Sequence, residues 1–324
     1  MLAFVAIFAL VASCGFVIEE GAPEPSPLRV TFLDVGQGLA VLLDCGGRYA
    51  MYDMGPDSVG MIDSLVARGV DTLEWVVVSH NHRDHAGGFM ELAGAARGDG
   101  CGSVAGVGDA PRVYVRRLYV GPDTSGGFIR DSVLRVARGF SIPVDTLVRG
   151  MSLGLAACGV VAGIGDVGGL PSGDGEGSRG LSSNIGDAPR FDVLWPPDYV
   201  REGGNPASVV VRVEFGAASL LLTGDLDSAG ERRLLELSPT LSAGLLQVPH
   251  HGSAGSSSLR FISRVAPDYA VVSVGAGNAY GHPREEVVRK YAYVLGDTAR
   301  FFRTDLQGRV GFEMWPDIGV VVDE

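Results

Sequence analysis

Short apolar runs rich in β-branched residues alternate along the chain with segments whose apolar residues recur at helical spacing. The runs, bounded by turn residues, predict strands over 28–34, 40–44, 49–53, 75–79, 114–120, 191–195, 208–215, 219–224, 245–248, 269–274, 300–303 and 308–314. Helical spacing predicts helices over 58–68, 86–94, 127–138, 227–237, 257–265 and 284–294. Strands in two groups with helices between them predict one α/β domain over residues 28–324.

Three segments interrupt this pattern. Two glycine-rich stretches, at 94–110 and 163–189, lack periodicity and are predicted to be surface insertions, because their composition cannot bury a core. Residues 1–18 carry no charge and precede an acidic, proline-rich linker at 19–27, so this segment is predicted to enter a membrane. It is either a secretion signal with a lipoprotein-like site at Cys14 or a single transmembrane helix. Both interpretations predict an extracytoplasmic domain, membrane-anchored or a lipoprotein.

Composition and charge limit the partners. The chain of 324 residues is 46% hydrophobic and carries a net charge of −12, which is typical of a globular domain with an acidic surface. Such a surface repels polyphosphates at long range, so nonspecific binding of DNA is expected to be weak unless a local basic surface exists. Cys45, Cys101 and Cys158 have no metal-ligand spacing, and they indicate neither a zinc site nor a disulfide framework.

Histidine is rare in this chain and concentrated in two places. Five of the six histidines fall in SHNHRDHAGG at 79–88 and in VPHHGS at 248–253. His80 and His82 follow a predicted buried strand, and side chains two apart in extended backbone share a face, so both can bind one cation. Asp84 and His85 lie at the turn into the next helix, where they can bind a second cation about 3.5–4 Å away.

Further candidate ligands follow later strands. Asp225 comes directly after the strand in LLLTGD, where a carboxylate can bridge two cations, and His250 and His251 end another strand. Strand ends are rigid positions from which ligands can converge. The pattern predicts a centre for one or two divalent cations, Zn²⁺ or Mn²⁺.

Together these motifs resemble the metallo-β-lactamase fold superfamily. HxHxDH at 80–85 identifies the superfamily, while DVGQG at 34–38, HHGS at 250–253 and YGHP at 280–283 are similar to the hydrolase domain of ComEC-type DNA-internalisation competence proteins. The similarity runs from about residue 28 to about residue 315. It implies a four-layered αββα metallo-β-lactamase-like sandwich, preceded here by the N-terminal hydrophobic segment.

The resemblance also implies which residues bind metal. His80 and His82 would bind one cation, Asp84 and His85 a second, and Asp225 would bridge the two. These five residues are therefore the predicted core of the metal centre.

Other residues are implied to support the site. One of His250 and His251 would bind the second cation while the other contacts substrate or donates a proton, and the sequence leaves open which. Asp53 is implied to lie beside the ligands and to orient them. His282 either lines the pocket or caps a helix, and Ser253 belongs to a serine-rich loop that could hold a phosphate.

The first departure from the superfamily pattern concerns the first cation. Many members have another histidine between the HxHxDH motif and the bridging aspartate, but residues 86–249 contain none. Asn205 or Ser208 takes roughly that place, and an amide or hydroxyl oxygen is a harder, weaker ligand than imidazole. The first position is thus expected to favour manganese, to bind zinc loosely, or to stay empty.

The second departure is Leu39, which stands where the related motif reads an acidic residue. If that carboxylate faces the site, its replacement weakens the case for full activity. Asp34 and Gln37 of the same motif remain as candidates near the substrate. For Asp34 the alternative is a structural role, in which it satisfies backbone donors in a tight turn.

The leading functional hypothesis is a metal-dependent hydrolase, a phosphodiesterase or nuclease that acts on DNA outside the cytoplasm during competence-related uptake. Asp84, His250 and His251 are its expected catalytic residues. One alternative keeps the site but changes the substrate to a cell-wall or small-molecule phosphoester. Another is a DNA-handling module of an uptake channel without catalysis. Expected partners are DNA or another phosphodiester, the membrane through the N-terminal segment, and a DNA-uptake channel.

Overall fold

The computed structural model describes residues 26–95, 112–123, 127–155, 188–197 and 203–323. Its strands are β1 (Leu28–Phe32), β2 (Ala40–Cys45), β3 (Arg48–Met54), β4 (Thr72–Val78), β5 (Tyr114–Val115), β6 (Leu118–Val120), β7 (Val144–Thr146), β8 (Ser152–Gly154), β9 (Arg190–Trp195), β10 (Val210–Phe215), β11 (Ala218–Leu222), β12 (Leu245–Gln247), β13 (Tyr269–Val272), β14 (Phe301–Arg303), β15 (Val310–Trp315) and β16 (Gly319–Asp323). Its α-helices are α1 (Met61–Ala67), α2 (Arg83–Ala95), α3 (Phe128–Gly139), α4 (Ser228–Leu237), α5 (Leu259–Val265), α6 (Glu285–Leu295) and α7 (Thr304–Gln307).

The strands form two mixed sheets. The first has the order β16-β15-β1-β2-β3-β4-β6-β7, with β5 paired to β4, and the second has the order β14-β13-β12-β11-β10-β9-β8. Strand β4 runs parallel to β3, β5 and β6 in the first sheet. In the second sheet, β11, β12, β13 and β14 are parallel neighbours. Each sheet therefore combines antiparallel strands with a parallel half.

Alternation along β4 shows how the layers are separated. Trp75 and Val77 pack in the core between the two sheets, whereas Val76 and Val78 pack on the other face of the first sheet, in the cluster that contains residues of α1, α2 and α3. Successive side chains of a strand point to opposite faces, so one strand supplies both layers. A third cluster joins the second sheet to α4, α5 and α6. The four-layered αββα sandwich implied by the resemblance is confirmed.

The parallel halves determine where functional side chains collect. Parallel strands direct their carboxyl ends to the same edge of a sheet, and ligands in open α/β sheets bind at that edge. Strand β4 ends two residues before His80, and β11 ends three residues before Asp225. Strand β12 ends three residues before His250. The two sheets thus bring segments far apart in sequence to one edge.

The predicted elements differ from the observed ones mainly at edges and ends. The predicted strand at 114–120 is two strands, β5 and β6, and the strands β7, β8 and β16 were not predicted. Strands β7 and β8 have three residues each and are largely exposed, so they lack the buried alternation that marks a strand. Helix α2 begins at Arg83 rather than at residue 86, which places the Asp84-His85 pair in its first turn.

Several predictions fall outside the described residues. These are the N-terminal segment at 1–18, nearly all of the linker, and the glycine-rich stretches apart from their edges. Within the ranges that are described, no helix is both long enough and apolar enough to cross a membrane. Cys45, at the end of β2, is disulfide-bonded, a feature that the cysteine spacing did not predict.

Candidate metal centre

Four predicted ligands form a compact, largely buried cluster, here called the closed group: Asp84, His85, Asp225 and His251. Asp225 Oδ1 lies 3.1 Å from His85 Nε2 and 3.4 Å from His251 Nε2. His251 Nε2 also lies 3.4 Å from Asp84 Oδ2. All these atoms fall within 4.8 Å of one another, which is compatible with a single cation between them.

Three ligands form a second cluster, here called the open group: His80, His82 and Asp225. His80 Nε2 lies 3.9 Å from Asp225 Oδ2, the oxygen that is not shared with the closed group's shortest contacts. His80 is buried, but His82 is exposed. Asp225 belongs to both groups, so its carboxylate is placed to bridge two cations.

The hydrogen bonds of the histidines indicate that these clusters fit cations. His85 Nδ1 donates to Asp53 (2.7 Å) and His251 Nδ1 donates to the Ser273 carbonyl (2.7 Å). In a neutral imidazole the other nitrogen then carries a lone pair. The two Nε2 atoms lie only 3.2 Å apart and face the same Asp225 oxygen. Two ring nitrogens this close to each other and to one carboxylate oxygen are stabilised by a proton or a cation held between them.

One buried atom makes the same point. His80 Nε2 has no hydrogen-bond partner within the described part of the chain, and an unsatisfied buried polar atom is costly. Burial alone would lower the pKa of His85, but the Asp225 and Asp53 carboxylates raise it well above its ordinary value. A cluster that draws a proton so strongly also attracts a metal cation. The donor set therefore fits one or two divalent cations.

Asp53 orients ligands of both groups through hydrogen bonds. It accepts hydrogen bonds from the backbone N–H of Ser79 (2.6 Å), from the Ser79 hydroxyl (2.6 Å) and from His85 Nδ1. Because the Ser79 hydroxyl is committed to Asp53, its oxygen can accept from His80 Nδ1, 3.1 Å away. The Asp53 backbone is left-handed, with φ 57°. Its carboxylate thus directs the Nε2 atoms of His80 and His85 toward Asp225, which is the orienting position that the resemblance implied for this aspartate.

The adjacent histidines of HHGS separate because their backbone is left-handed. His250 has φ 51° and His251 has φ 53°, a region that non-glycine residues rarely occupy. His251 turns inward to the closed group, whereas the His250 side chain remains 26% exposed. His250 Nε2 lies 3.7 Å from Asp225 Oδ2 and 3.1 Å from Asn205 Nδ2. The structure therefore separates the positions of two side chains that the sequence could not distinguish.

Both groups open onto a cavity of about 390 Å³. The predicted residues that line it are Gln37, His82, Asp84, Asn205, Asp225, His250, His251 and His282. The His282 ring lies 6.0 Å from that of His250. Burial and the neighbouring His250 lower the pKa of His282 to about 4, so its imidazole is neutral at pH 7. Asn205 Oδ1 is buried, with no hydrogen-bond partner within the described ranges, so this amide oxygen is available to the open group.

Four residues named from the sequence do not line the cavity, and for Asp34 this agrees with its alternative, structural role. Asp34 is exposed, and its Oδ1 accepts from the Gly36 N–H, so it stabilises the turn and lies outside the cavity lining. Ser253 likewise accepts from the Gly255 N–H and does not line the cavity. Ser208 is buried, and its hydroxyl accepts from the backbone N–H of Asp225 (3.1 Å), so it positions the bridging residue.

Leu39 is the fourth, because it does not face the metal centre. Its side chain is fully buried in the core between the sheets. Its backbone N–H donates to the Asp84 carbonyl (3.0 Å), which fixes the start of α2. In this chain an apolar residue at position 39 is consistent with its core packing, and the cavity keeps its polar lining.

The sequence reasoning missed four other residues of the cavity: Asn81, Arg83, Ile129 and Tyr280. Three of them belong to recognised motifs, since Asn81 and Arg83 lie within HxHxDH and Tyr280 begins YGHP. Arg83 forms a two-bonded ion pair with Asp57 (2.7 and 2.8 Å). Ile129 comes from α3, which carried no chemical motif, so only tertiary packing could place it here.

Comparison with known proteins agrees with this fold. Residues 33–109 and 162–276 match the Metallo-beta-lactamase superfamily. The chain belongs to this superfamily. Its members are mostly metal-dependent hydrolases that bind divalent cations, and the His and Asp clusters described above are the candidate ligands here.

Its relatives include proteins of natural competence. The chain is 30% identical over 313 residues to Competence protein ComA of Neisseria gonorrhoeae, an alignment that covers 94% of this chain and 35% of that protein. It is 26% identical to ComE operon protein 3 of Bacillus subtilis, covering 90% and 34%. The chain thus spans about a third of the length of these relatives. A crystal structure of CmlA, a diiron β-hydroxylase from Streptomyces venezuelae, shares the fold, with a TM-score of 0.52, 12% identity, and coverage of 90% and 55%.

Proposed function

We propose that this chain is a metal-dependent phosphodiesterase that cleaves DNA outside the cytoplasm. The observation that carries the proposal is the pair of ligand groups joined by Asp225 at the floor of an open cavity. Paired cations bridged in this way are typical of enzymes that displace an oxygen at phosphorus, including nucleases and phosphatases. The competence relatives support a DNA-uptake setting for this activity.

The residues of the chain have distinct tasks in this proposal. Bound divalent cations would supply Lewis acidity toward a phosphoryl oxygen and would lower the pKa of water. Asp84, with a side chain 33% exposed, borders the cavity and can accept a proton from an attacking water. His250 is the only histidine of the HHGS pair that keeps an exposed edge. It is placed to donate a proton to the leaving oxygen, a task that contributes about 10²–10⁴-fold in rate.

Burial lowers the pKa of His250, and the Asp225 carboxylate opposes this shift. The proton-donor role therefore requires the bound phosphodiester, whose negative charge would raise this pKa again. Its hydrogen bond with Asn205 (3.1 Å) fixes the ring beside the bridging oxygen. The His282 ring packs against the His250 ring in the cavity wall, and its lowered pKa keeps it neutral. The amide oxygen of Asn205 and the exposed imidazole of His82 make the open group the weaker site, one that favours manganese over zinc.

A small or cell-wall phosphoester is the second candidate substrate. A cavity of about 390 Å³ is of the size that holds a small ligand, and the net charge of −12 disfavours a polyanion. A third candidate is a DNA-handling module without catalysis. The burial of Leu39 in the core, away from the cavity, gives this candidate less support. The main support for this third candidate is the absence of a histidine from residues 86–249, where Asn205 or Ser208 takes its place.

We also propose that the domain works outside the cytoplasm, attached to the membrane through residues 1–18. The disulfide at Cys45 supports an oxidising compartment. The competence relatives, of which this chain spans about a third, support a further proposal, that a DNA-uptake channel is its partner.

The proposal is tested with the full chain in mild detergent, supplied with Mn²⁺ or Zn²⁺. Single-stranded DNA, bis(p-nitrophenyl) phosphate and a choline phosphodiester are compared as substrates. The first two are expected to be hydrolysed, and Asp84→Ala is expected to abolish the activity. In His250→Ala, cleavage of DNA should fall by about 10²–10⁴-fold, whereas the p-nitrophenyl ester, whose leaving group needs no proton, should be little affected.

Each alternative result has a meaning. Hydrolysis of the choline ester without cleavage of DNA would establish the second candidate. No hydrolysis of any substrate, with metal bound, would reject a phosphodiesterase. Equal losses on DNA and on the p-nitrophenyl ester in His250→Ala would remove the proton-donor role.

A further inference from the structure

Two exposed aromatic side chains lie at the ends of the region around the metal centre. Tyr280 is 62% exposed and lines the cavity described above, and Phe128 is 76% exposed at the first residue of α3. Single exposed apolar side chains are common on protein surfaces. Two large rings on the two sides of one candidate active site are a more specific arrangement.

Phe128 borders a second cavity of about 380 Å³ that also contains Arg130. The two cavities share three lining residues, Asn81, His82 and Ile129. They therefore adjoin at His82, the exposed residue of the open group. Tyr280 stands in the first cavity and Phe128 in the second, so a ligand extended along this path passes both rings and the metal groups between them.

The Tyr280 ring is held in place from one side. It stacks on His282 with ring centroids 5.7 Å apart and planes inclined by 23°, and His282 in turn meets the edge of His250. A ring that is stacked on one face and still 62% exposed presents its other face to the cavity or to solvent. Phe128 and Ile129 form a small apolar surface at the opposite end.

Charge along the path is unfavourable for a ligand bound by its phosphates alone. Carboxylates of the two cavities come from Asp84, Asp123 and Asp225, while the cationic side chains are Arg83 and Arg130. Arg83 is already paired with Asp57. A strand of nucleic acid would therefore need another source of affinity. Stacking of bases on aromatic side chains provides one that does not depend on net charge.

We infer that the substrate is a single-stranded polynucleotide, with one base stacked on Phe128, another on Tyr280, and the scissile phosphate at the metal groups between them. This rests on the proposed phosphodiesterase function. Base pairing and stacking within a duplex hide the faces that these rings would contact, so double-stranded DNA is disfavoured. Phe128 and Tyr280 are specificity residues and take no part in the chemical step.

The test uses the full chain with Phe128→Ala, Tyr280→Ala, and Tyr293→Ala as the matched control. Tyr293 is 78% exposed on α6 and lines neither cavity. Each of the first two substitutions is expected to raise KM for a single-stranded oligonucleotide by about tenfold or more. Turnover of bis(p-nitrophenyl) phosphate should stay unchanged in Tyr293→Ala, and in the two other alanine variants it should change by much less than the oligonucleotide KM. Tyr280→Phe and Phe128→Tyr, which keep the ring, should retain the wild-type KM.

Binding of a fluorescein-labelled oligonucleotide, followed by anisotropy with Ca²⁺ present, gives a readout that needs no catalysis. Weaker binding in both alanine variants, with binding by Tyr293→Ala unchanged, supports the inference even if the wild type hydrolyses nothing and the proposed function fails. Unchanged KM and unchanged binding in both variants would overturn it. Equal losses on the oligonucleotide and the p-nitrophenyl ester would also overturn it, because they would indicate a structural role.

Discussion

The closed group and the open group share Asp225 but differ in how their ligands are held. In the closed group the His85 and His251 rings are buried, and each is fixed through Nδ1 by a carboxylate or a backbone carbonyl. In the open group only His80 has such support, through Ser79, while His82 is exposed. Ligands already fixed in position lose less entropy on binding, so the closed group is expected to bind metal more tightly.

The difference also bears on function. A cation in the open group would lie beside the path that joins the two cavities, next to His82 and Asn205. A weaker and more exposed site can exchange ligands with substrate, whereas a buried site provides a permanent charge. We therefore expect the closed group to hold metal structurally and the open group to fill when metal or substrate is abundant.

The largest effect is expected for Asp225→Ala, because this residue serves both groups. Both cations should be lost and hydrolysis should fall to background, as measured by mass spectrometry of bound metal and by phosphodiester turnover. Asp227→Ala is the matched control, since Asp227 caps α4 by accepting from the Gly230 N–H. It should keep the metal and lose only about 1 kcal/mol of stability. Two bound cations in Asp225→Ala would disprove the shared carboxylate.

A smaller effect is expected for His82→Ala, which removes a ligand from the open group alone. Titration of the metal-free variant with Mn²⁺ should show one tight site, where the wild type shows a tight and a weak one. If both sites persist, His82 is not a ligand. If both disappear, the two groups are not independent and the comparison fails.

The smallest effect is expected for Asp53→Asn, which changes no ligand. Three donors converge on Asp53, and an amide must turn its own N–H groups toward at least one of them. Metal affinity of the closed group should fall by about 10–100-fold. Asparagine tolerates the left-handed backbone at this position. Asp63→Asn, an exposed change on α1, should leave the affinity unaltered, and a similar loss in both variants would contradict the orienting role.

Much of this fold could be predicted from the sequence because its strands are buried and its helices amphipathic. The β4 run LEWVVVS was recognisable by its β-branched residues, and the observed strand ends one residue from the predicted end. By contrast, β7 and β8 are short edge strands whose formation depends on neighbours, so local composition did not reveal them. Local composition was also misleading for Ser253. Its hydroxyl could contact a phosphate, but in the structure it accepts a hydrogen bond from the Gly255 N–H within a turn.

By itself the sequence identified the candidate metal ligands that the structure brings together, because residue type and strand-end spacing are local properties. Only the tertiary structure decided that His251 enters the closed group while His250 faces the cavity, since this depends on left-handed backbone at both positions. Tertiary packing also turned Leu39 into the core and placed α3, with Phe128 and Ile129, beside the metal groups. Such directions arise from contacts between distant segments, and no local pattern encodes them.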